Sequence, residues 1–450
     1  MPPVQEEPQL TPKGQHTKAA TQSAPALPAA RQGWSLPRRI AFRFLCAYFF
    51  LYSFPFPVGL IPFTERIAEA YDKLWLPIVP WVGKHILNLN REISGVPNGS
   101  GDTTYAYIQN LCLLALAIVA TALWSALSRR REHTKLDHAL RIYVRYVLAF
   151  TMLSYGMLKV FKSQFPTPTP MRLMQPIGDS SPMGLLWTFM GYSTAYTIFS
   201  GAAEVLGGAL LLFRRTTTLG ALLLIAVIGN VVALNFCYDV PVKLYSVNLW
   251  LMSLFLLLAD LPRLACILVF NRSTAAARMY PDTTRPVTRR LHLVVKALIV
   301  GLILYTTTRA GYESWKNYGD GAIRDSLDGG YEVEQFSRNG TLLPATLNEP
   351  GRWRRIGIST RGRFVVRTMA DSTYRYRLEH DVKQRTLAVW LDTSATKDTL
   401  TYVRTDSDHL ALAGVLLGDS LRVQVRKISF SEFPLMNRGF HWINEAPYNR

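Results

Sequence analysis

The chain has 450 residues, of which 49% are hydrophobic and 12% aromatic, and its formal net charge is +19. This length allows two domains, and the excess of positive charge alone would suit a nucleic-acid-binding protein. The basic residues, however, cluster at the ends of apolar segments and do not form a stripe with interleaved aromatics, so the pattern argues against nucleic-acid binding.

The N-terminal segment, residues 1–36, is rich in Pro, Ala, Gln and Thr and shows no apolar periodicity. Such a composition predicts a disordered tail. The first apolar segment begins near Ile40 and has no small-residue cleavage site after it. We therefore expect a retained membrane span and not a cleaved signal peptide.

Residues 37–310 are predicted to form a transmembrane helical domain. A spanning helix needs about 20 mostly apolar residues. By that criterion the sequence contains about seven spans: 40–62, 105–127, 139–160, 187–213, 217–238, 245–270 and 291–308. The segment 64–90 is broken by prolines and flanked by charge, which indicates an interfacial helix outside the membrane core.

The connections between these spans alternate in charge. Every second one is strongly basic, at residues 31–39, 129–135, 214–215 and 263–290. Basic connections stay on the cytoplasmic side of a membrane. The alternation therefore predicts an odd number of spans, with the N-terminus inside and the C-terminus outside.

Residues 311–450 have a different pattern, in which short runs alternate between apolar and polar positions and are separated by turn signals such as "RNG", "ADS" and "LGDS". About eight strands with short links predict an antiparallel meander. A closed up-and-down barrel leaves no exposed edge strands, so we expect a barrel of the lipocalin-like size class. Its interior could hold a small apolar ligand or be packed solid.

The C-terminal tail, "FPLMNRGFHWINEAPYNR", carries aromatic and charged residues where free tails are usually small and polar. We expect it to dock on the barrel or on the helices. The residues predicted to form this docking motif are Arg438, His441, Trp442 and Glu445.

Glu204 is the most distinctive polar residue of the predicted spans. It lies about ten residues before Arg214, which corresponds to about 15 Å from the inner boundary, near the middle of the bilayer. Its helix face carries Ser200, Gly201, Gly207 and Gly208, and small residues allow another helix to approach closely. Glu204 should therefore point into a helix–helix contact, either as a proton or ligand site or as an interhelical hydrogen-bonding pin.

A second polar group is predicted nearer the outer face. Lys159 and Tyr155 are four residues apart on one helix, and Asn235 and Asp239 are four apart on another. Gln164 and Asn248 flank these positions. Asp239 matches the predicted depth of Lys159 better than Glu204 does, and a Lys159–Glu204 ion pair would need a tilted or kinked helix. Lys159 could be part of a polar site or simply a snorkelling anchor.

The segments "YGMLKVFKSQF", "SGAAEVLGGALLLFRR" and "NFCYDVPVKLYSVNLWLMSLFLLLAD" resemble the DoxX-like family of bacterial membrane proteins. The resemblance covers about residues 138–270 as a four-helix bundle. It implies a bacterial inner-membrane protein linked to a redox system, with a periplasmic C-terminal domain. Members of that family include a small subunit of a thiosulfate–quinone oxidoreductase, so the resemblance implies a quinone as ligand and a redox partner protein.

Three functional hypotheses follow. The first is a quinone-linked, redox-associated membrane subunit, with Lys159, Asp239 and Glu204 as polar contacts. The second is a non-enzymatic envelope protein whose β domain binds an apolar ligand or a partner, and the third is a small-molecule or proton transporter that uses Glu204. The four cysteines form no C-x-x-C pair and no flavin motif is evident, so neither zinc nor dithiol chemistry is predicted, and whether the chain is an enzyme stays open.

Overall fold

The computed structural model describes residues 33–60, 64–275, 286–394 and 396–449. Most of the predicted tail, together with Arg31, Arg278 and Arg285 of the basic connections, lies outside these ranges. The helices are α1 Leu36–Ser53, α2 Glu65–His85, α3 Thr104–Leu127, α4 Thr134–Val160, α5 Pro170–Leu173, α6 Pro182–Tyr192, α7 Thr194–Leu211, α8 Thr217–Cys237, α9 Lys243–Leu258, α10 Leu261–Leu268, α11 Pro286–Asn317 and α12 Pro434–Asn437.

Several helices are long and apolar enough to cross a membrane. Within the described ranges four qualify singly: Thr104–Leu127, Thr194–Leu211, Thr217–Cys237 and Leu293–Asn317. Helices α9 and α10 make a fifth if the pair, bent by 75°, is one broken span. Helices that could cross a membrane are thus present, as predicted, but in the described ranges fewer of them meet these criteria than the seven spans predicted.

The difference from the predicted spans has identifiable causes. The predicted span 187–213 is two helices, because the hydroxyl of Ser193 accepts a hydrogen bond from the backbone N–H of Tyr196 and so caps the start of α7. Helices α1 and α4 form where spans were predicted, but both carry several charged residues. One of these is Arg141, which binds Asp137 and donates to the carbonyl of Phe255 inside the protein.

Helix α4 lies at the centre of the helical domain and packs against α7, α9, α11 and α1. Its buried side chains, among them Val144, Leu148 and Leu153, belong to one apolar core shared with α1, α7, α8 and α9. The C-terminal end of this central helix carries Tyr155 and Lys159, and Lys162 follows directly after it.

The C-terminal domain is a closed antiparallel barrel of eight strands, as predicted. The strands are β1 Gly329–Arg338, β2 Thr341–Leu342, β3 Trp353–Ser359, β4 Arg363–Thr368, β5 Thr373–Asp381, β6 Thr386–Trp390, β7 Asp398–Arg404, β8 His409–Leu416 and β9 Asp419–Lys427. Strand β1 pairs with both β3 and β9 and closes the barrel, while the two-residue β2 only extends a hairpin from β1.

The barrel interior is filled by side chains that alternate with exposed residues along each strand. Phe336, Phe364, Leu387 and Val389 are completely buried there, with Trp353 packed against two of these rings. Of the two interiors considered from sequence, the structure therefore has the packed one; the lipocalin-like label stays a prediction.

Because closure leaves no edge that needs the helices, we expect the barrel to fold alone. A fragment of residues 325–449 should give a β-type circular dichroism spectrum and a single cooperative thermal transition. A fragment that is unfolded or helical would contradict the independence of this domain.

The barrel sits against one end of the helical domain. Helix α5 packs on β1 and β3, where Gly330 and Gly357 leave room for the side chains of Met174 and Met171. Arg361 donates to the carbonyl of Asn317 at the end of α11. The ends of α4 and α11 and the start of α7 therefore lie on the barrel side of the helical domain.

Candidate functional site

Helices α4 and α7 touch through glycines. A Cβ atom on Gly201 would lie 2.7 Å from the carbonyl oxygen of Gly156 and 2.6 Å from the Cβ of Lys159. A Cβ on Gly156 would lie 2.8 Å from the carbonyl oxygen of Gly201. Real Cβ atoms do not approach backbone atoms this closely, so the two backbones are in direct contact. The prediction that small residues around Glu204 mark a close helix contact is confirmed.

The contact encloses a buried ion pair. The Nζ atom of Lys159 lies 2.9 and 2.8 Å from the two carboxylate oxygens of Glu204. Only 6% of Lys159 and 3% of Glu204 is exposed, so each charge depends on the other for compensation. In an environment without water, removal of either partner leaves a charge with no counter-charge.

The sequence indicated that Asp239 matches the depth of Lys159 better than Glu204 does, but Glu204 is the ion-pair partner of Lys159 in the structure. A Lys159–Glu204 pair was expected to need a tilted or kinked helix. In the structure α7 begins beyond the end of α4, and Lys159 lies level with Gly201. Three residues of helix separate Gly201 from Glu204, about 4.5 Å of rise, which a lysine side chain spans without a kink.

Asp239, Asn235 and Gln164 do not join this pair. Asp239 is exposed and binds Lys243, with 2.8 Å between Oδ1 and Nζ. Asn235 donates to the hydroxyl of Ser246 at 3.0 Å, and the buried Oε1 of Gln164 has no hydrogen-bond partner among the described residues. The predicted outer cluster is therefore three separate contacts, of which Lys159 and Tyr155 form one.

Tyr155 connects the ion pair to a cleft. The Nζ of Lys159 lies 6.0 Å from the centre of the Tyr155 ring, and that ring lies 6.1 Å from the ring of Tyr245. Two adjoining cavities open beside these tyrosines, of about 350 and 380 Å³, and both are lined by Tyr52 and Tyr245. We call these two cavities together the tyrosine cleft.

The two halves of the tyrosine cleft differ in polarity. The smaller half is lined mainly by apolar side chains, among them Phe56, Val147 and Met252. The larger half includes Gln109 and Asn110 as well as Tyr155. A cleft with an apolar end and a polar end suits an amphiphile whose head group accepts or donates hydrogen bonds, and each half is within the size range of small-molecule sites.

A buried network supports the polar half. The Tyr48 hydroxyl lies 2.9 Å from Oδ1 of Asn110 and 2.6 Å from Oδ1 of Asn248. The Nδ2 of Asn248 donates to the carbonyl of Leu244. Sequence reasoning noticed Asn248 but missed Tyr48, Tyr52, Asn110 and Tyr245. Asn110, in the apolar segment after Thr104, could have indicated this network from the sequence. An amide inside a membrane span is energetically costly unless it is hydrogen-bonded.

Lys162 has a separate, structural role at the end of α4. Its Nζ donates to the hydroxyls of Thr167 and Thr194 at 2.8 Å and lies 3.0 Å from Oδ2 of Asp320, in the connection to the barrel. Burial alone would raise the pKa of Asp320, but hydrogen bonds from Thr167 and Lys162 outweigh burial and lower that pKa below its ordinary value of 3.8.

A lowered folded-state pKa means that Asp320 stabilises the protein above its ordinary pKa, and that this contribution is lost as the pH falls through the folded-state value. We therefore expect Asp320→Asn to lower the melting temperature by about 2–4 °C at pH 7. The difference from wild type should shrink progressively when the melts are repeated at pH values below 3.8. A difference independent of pH would show that the carboxylate charge is not what binds Lys162.

The C-terminal tail makes few contacts within the described chain. The carbonyl of Arg438 accepts a hydrogen bond from the Tyr192 hydroxyl, and the Arg438 guanidinium stacks on the ring of Tyr448. The Nδ1 atom of His441 lies 2.9 Å from the carbonyl oxygen of Gly439, and the His441 carbonyl accepts a hydrogen bond from Asn444. Glu445 is exposed, and 91% of Trp442 is exposed. The hydrogen bond between the Tyr192 hydroxyl and the Arg438 carbonyl joins the tail to α6, and the docking role of the other three residues stays a prediction.

In the portions of the chain that the structure describes, no group of three or more His, Cys, Asp or Glu side chains is arranged to hold a metal ion. The groups that the site offers are therefore an ammonium–carboxylate pair, phenol hydroxyls and amides. These groups can bind a polar head group by hydrogen bonds and can exchange protons with it.

Comparison with known proteins gives one relative. Over 116 residues, 26% of this chain, the sequence is 40% identical to the uncharacterized protein YwoB of Bacillus subtilis, and the match covers 73% of that protein. No family model matches the chain, and no solved structure does.

Proposed function

This chain belongs to the family of the uncharacterized protein YwoB, and we propose that it is an inner-membrane protein that binds a quinone or a similar amphiphile in the tyrosine cleft. The observation that carries the proposal is the continuity of the cleft with a buried charge pair, since Tyr155 lines the cleft and also contacts Lys159. A quinone has an apolar tail and two carbonyl oxygens, which match the two ends of the cleft.

The groups around the cleft have distinct roles in this proposal. The apolar half holds the tail and the ring edge, while Asn110 and the tyrosine hydroxyls donate hydrogen bonds to a quinone oxygen. Reduction of a quinone to a quinol takes two electrons and two protons. The electrons come from a redox partner protein in this proposal, and Tyr155 with the Lys159–Glu204 pair forms the route by which protons reach the cleft.

The resemblance to DoxX-like proteins supports the same proposal, since that family includes a subunit of a quinone-reducing enzyme. The alternative, an envelope protein that holds an apolar ligand inside its barrel, is less compatible with an interior filled by side chains. No specific observation favours the transporter alternative.

A cavity-filling variant tests the proposed ligand. Gly59 lines the apolar half, and a Cβ placed on it has no atom of the described residues within 4 Å. Gly59→Leu should fill the cleft without disturbing its walls. Gly301→Leu is the matched control, because Gly301 also has open space around it but lies on α11.

The full-length protein and both variants would be purified from host membranes and extracted for quinone analysis by mass spectrometry. We expect quinone with the wild type and with Gly301→Leu, and at least about tenfold less with Gly59→Leu, because a side chain in the cleft excludes the ligand. Equal quinone in all three samples, or none in any, would contradict the proposal.

Orientation is part of the proposal: an odd number of spans, with the N-terminus cytoplasmic and the barrel periplasmic. It rests on the alternation of basic connections. A periplasm-specific reporter fused after Arg450 should be active, and the same reporter fused near Arg131 should be silent. Activity at both positions, or at neither, would exclude an odd number of spans.

A further inference from the structure

A groove on the outside of the barrel is rich in arginine. It has a volume of about 860 Å³ and lies between the segment 169–179, which includes α5, and the outer faces of β3, β4 and β5. Six arginines line it, together with the acids Asp179, Asp371 and Asp392. The arginines are Arg172, Arg355, Arg363, Arg367, Arg375 and Arg377. The formal charge of these nine side chains is therefore +3, six minus three.

The strand register places like charges opposite one another. Arg355 pairs directly with Arg367 across β3 and β4, and Arg363 pairs directly with Arg377 across β4 and β5. Directly opposed like charges destabilise a sheet. Arg355 also lies opposite Glu332 of β1, and an anion in the groove would compensate the repulsion that remains between the arginines.

One arginine of each pair is already neutralised. Arg367 donates from Nε to Asp371 at 3.1 Å, and Arg377 donates from Nε to Asp392. These bonds fix the two guanidinium groups in place.

The other arginine of each pair lacks a carboxylate bound to its guanidinium among the described residues. Within the described chain the side chain of Arg363 makes no hydrogen bond or ion pair, and the buried Nε of Arg355 has no hydrogen-bond partner. Arg375, on β5 beside them, is exposed and likewise has no ion-pair partner in the described residues. The groove therefore contains guanidinium groups that are bound by carboxylates, next to guanidinium groups that are not.

The wall opposite the strands is also fixed. Arg172 donates to the hydroxyl of Thr188 at 2.7 Å and to Oε1 of Gln175 at 2.6 Å. Arg367 donates from Nη1 to the carbonyl of Met174 at 3.2 Å, which ties the segment to β4. Hydrogen bonds therefore hold both walls of the groove in place.

We propose that this groove binds a phosphate-bearing anion, with Arg355, Arg363 and Arg375 as the ligands to the phosphate oxygens. Guanidinium groups bind phosphate through two parallel N–H···O bonds, and several of them together favour a group with more than one charge. The segment 169–179 follows the barrel-side end of α4, so the phosphate can come from a lipid head group at the membrane surface or from a soluble phosphate.

The test uses the full-length protein in detergent and two probes. Inorganic pyrophosphate, titrated by calorimetry at constant ionic strength, represents the soluble source. Phosphatidylglycerol added to the micelles, followed by the melting temperature, represents the lipid source. The variant Arg363→Gln/Arg375→Gln removes two exposed ligands, while Arg422→Gln, an exposed arginine on β9 outside the groove, is the control.

We expect at least one probe to bind the wild type and Arg422→Gln equally, and to bind the double variant at least about tenfold more weakly. Binding of pyrophosphate identifies a soluble phosphate, and an effect of phosphatidylglycerol alone identifies a lipid head group. If neither probe binds the wild type, or if Arg422→Gln loses as much affinity as the double variant, the proposal is wrong.

Discussion

Replacing Glu204 by Gln is expected to destabilise the protein strongly, because it leaves the ammonium group of Lys159 buried without a counter-charge. Loss of one partner of a buried ion pair typically costs about 3–5 kcal/mol. We expect a clear fall in membrane abundance and in melting temperature in detergent. Glu132→Gln, at an exposed position in a basic connection, should leave both unchanged.

The double variant Lys159→Met/Glu204→Gln separates structure from function. It removes both charges and keeps side chains of similar size, so stability should recover most of what Glu204→Gln loses. If the pair only fastens α4 to α7, growth and respiration of the host should recover as well. We expect recovery of abundance without recovery of function, since a pair that joins Tyr155 and the cleft serves more than packing. Full recovery of both abundance and function would show that the ion pair has only a structural role.

Gly201→Ala is expected to have a comparably large effect through packing alone. The new methyl group would lie within 3 Å of Lys159 Cβ, the Gly156 carbonyl and the Val160 amide, two of which are backbone atoms that cannot turn aside. The helices would have to separate, and overpacking of this kind typically costs about 1–3 kcal/mol or more. The variant should melt at a lower temperature.

Gly301→Ala is the control for this substitution. Gly301 lies within α11, and a Cβ there meets no atom within 4 Å in the part of the chain that the structure describes. Alanine is favoured over glycine in a helix by about 1 kcal/mol, so this variant should melt at the wild-type temperature or slightly above it. If the two variants behave alike, direct backbone contact is not what holds α4 against α7.

The features that the sequence predicted well depend on local pattern. Alternation of apolar and polar residues after residue 328 was enough to predict a closed antiparallel barrel, because each strand must place one face inside. The small residues three and four positions from Glu204 were enough to predict its close helix contact. In both cases the information lies within a few residues of the feature.

The features that the sequence predicted poorly depend on the relative positions of elements that lie far apart in the chain. Glu204 was judged a poor depth match for Lys159 because the start of α7, at Thr194, is set by a cap at Ser193 and not by hydropathy. The tyrosine cleft was missed because Tyr52 and Tyr245 come from helices far apart in the chain, and tyrosines near helix ends are common in any membrane protein. Only packing shows that they meet beside Tyr155.

The claim at the centre of this account is that the buried Lys159–Glu204 pair serves a ligand in the tyrosine cleft. The most direct measurement is a titration of the full-length protein in detergent with a short-chain quinone. The wild type should bind saturably, Gly59→Leu should not bind, and Lys159→Met/Glu204→Gln, although folded, should bind at least about tenfold more weakly. Absence of saturable binding to the wild type, or equal affinity in all three proteins, would contradict the claim.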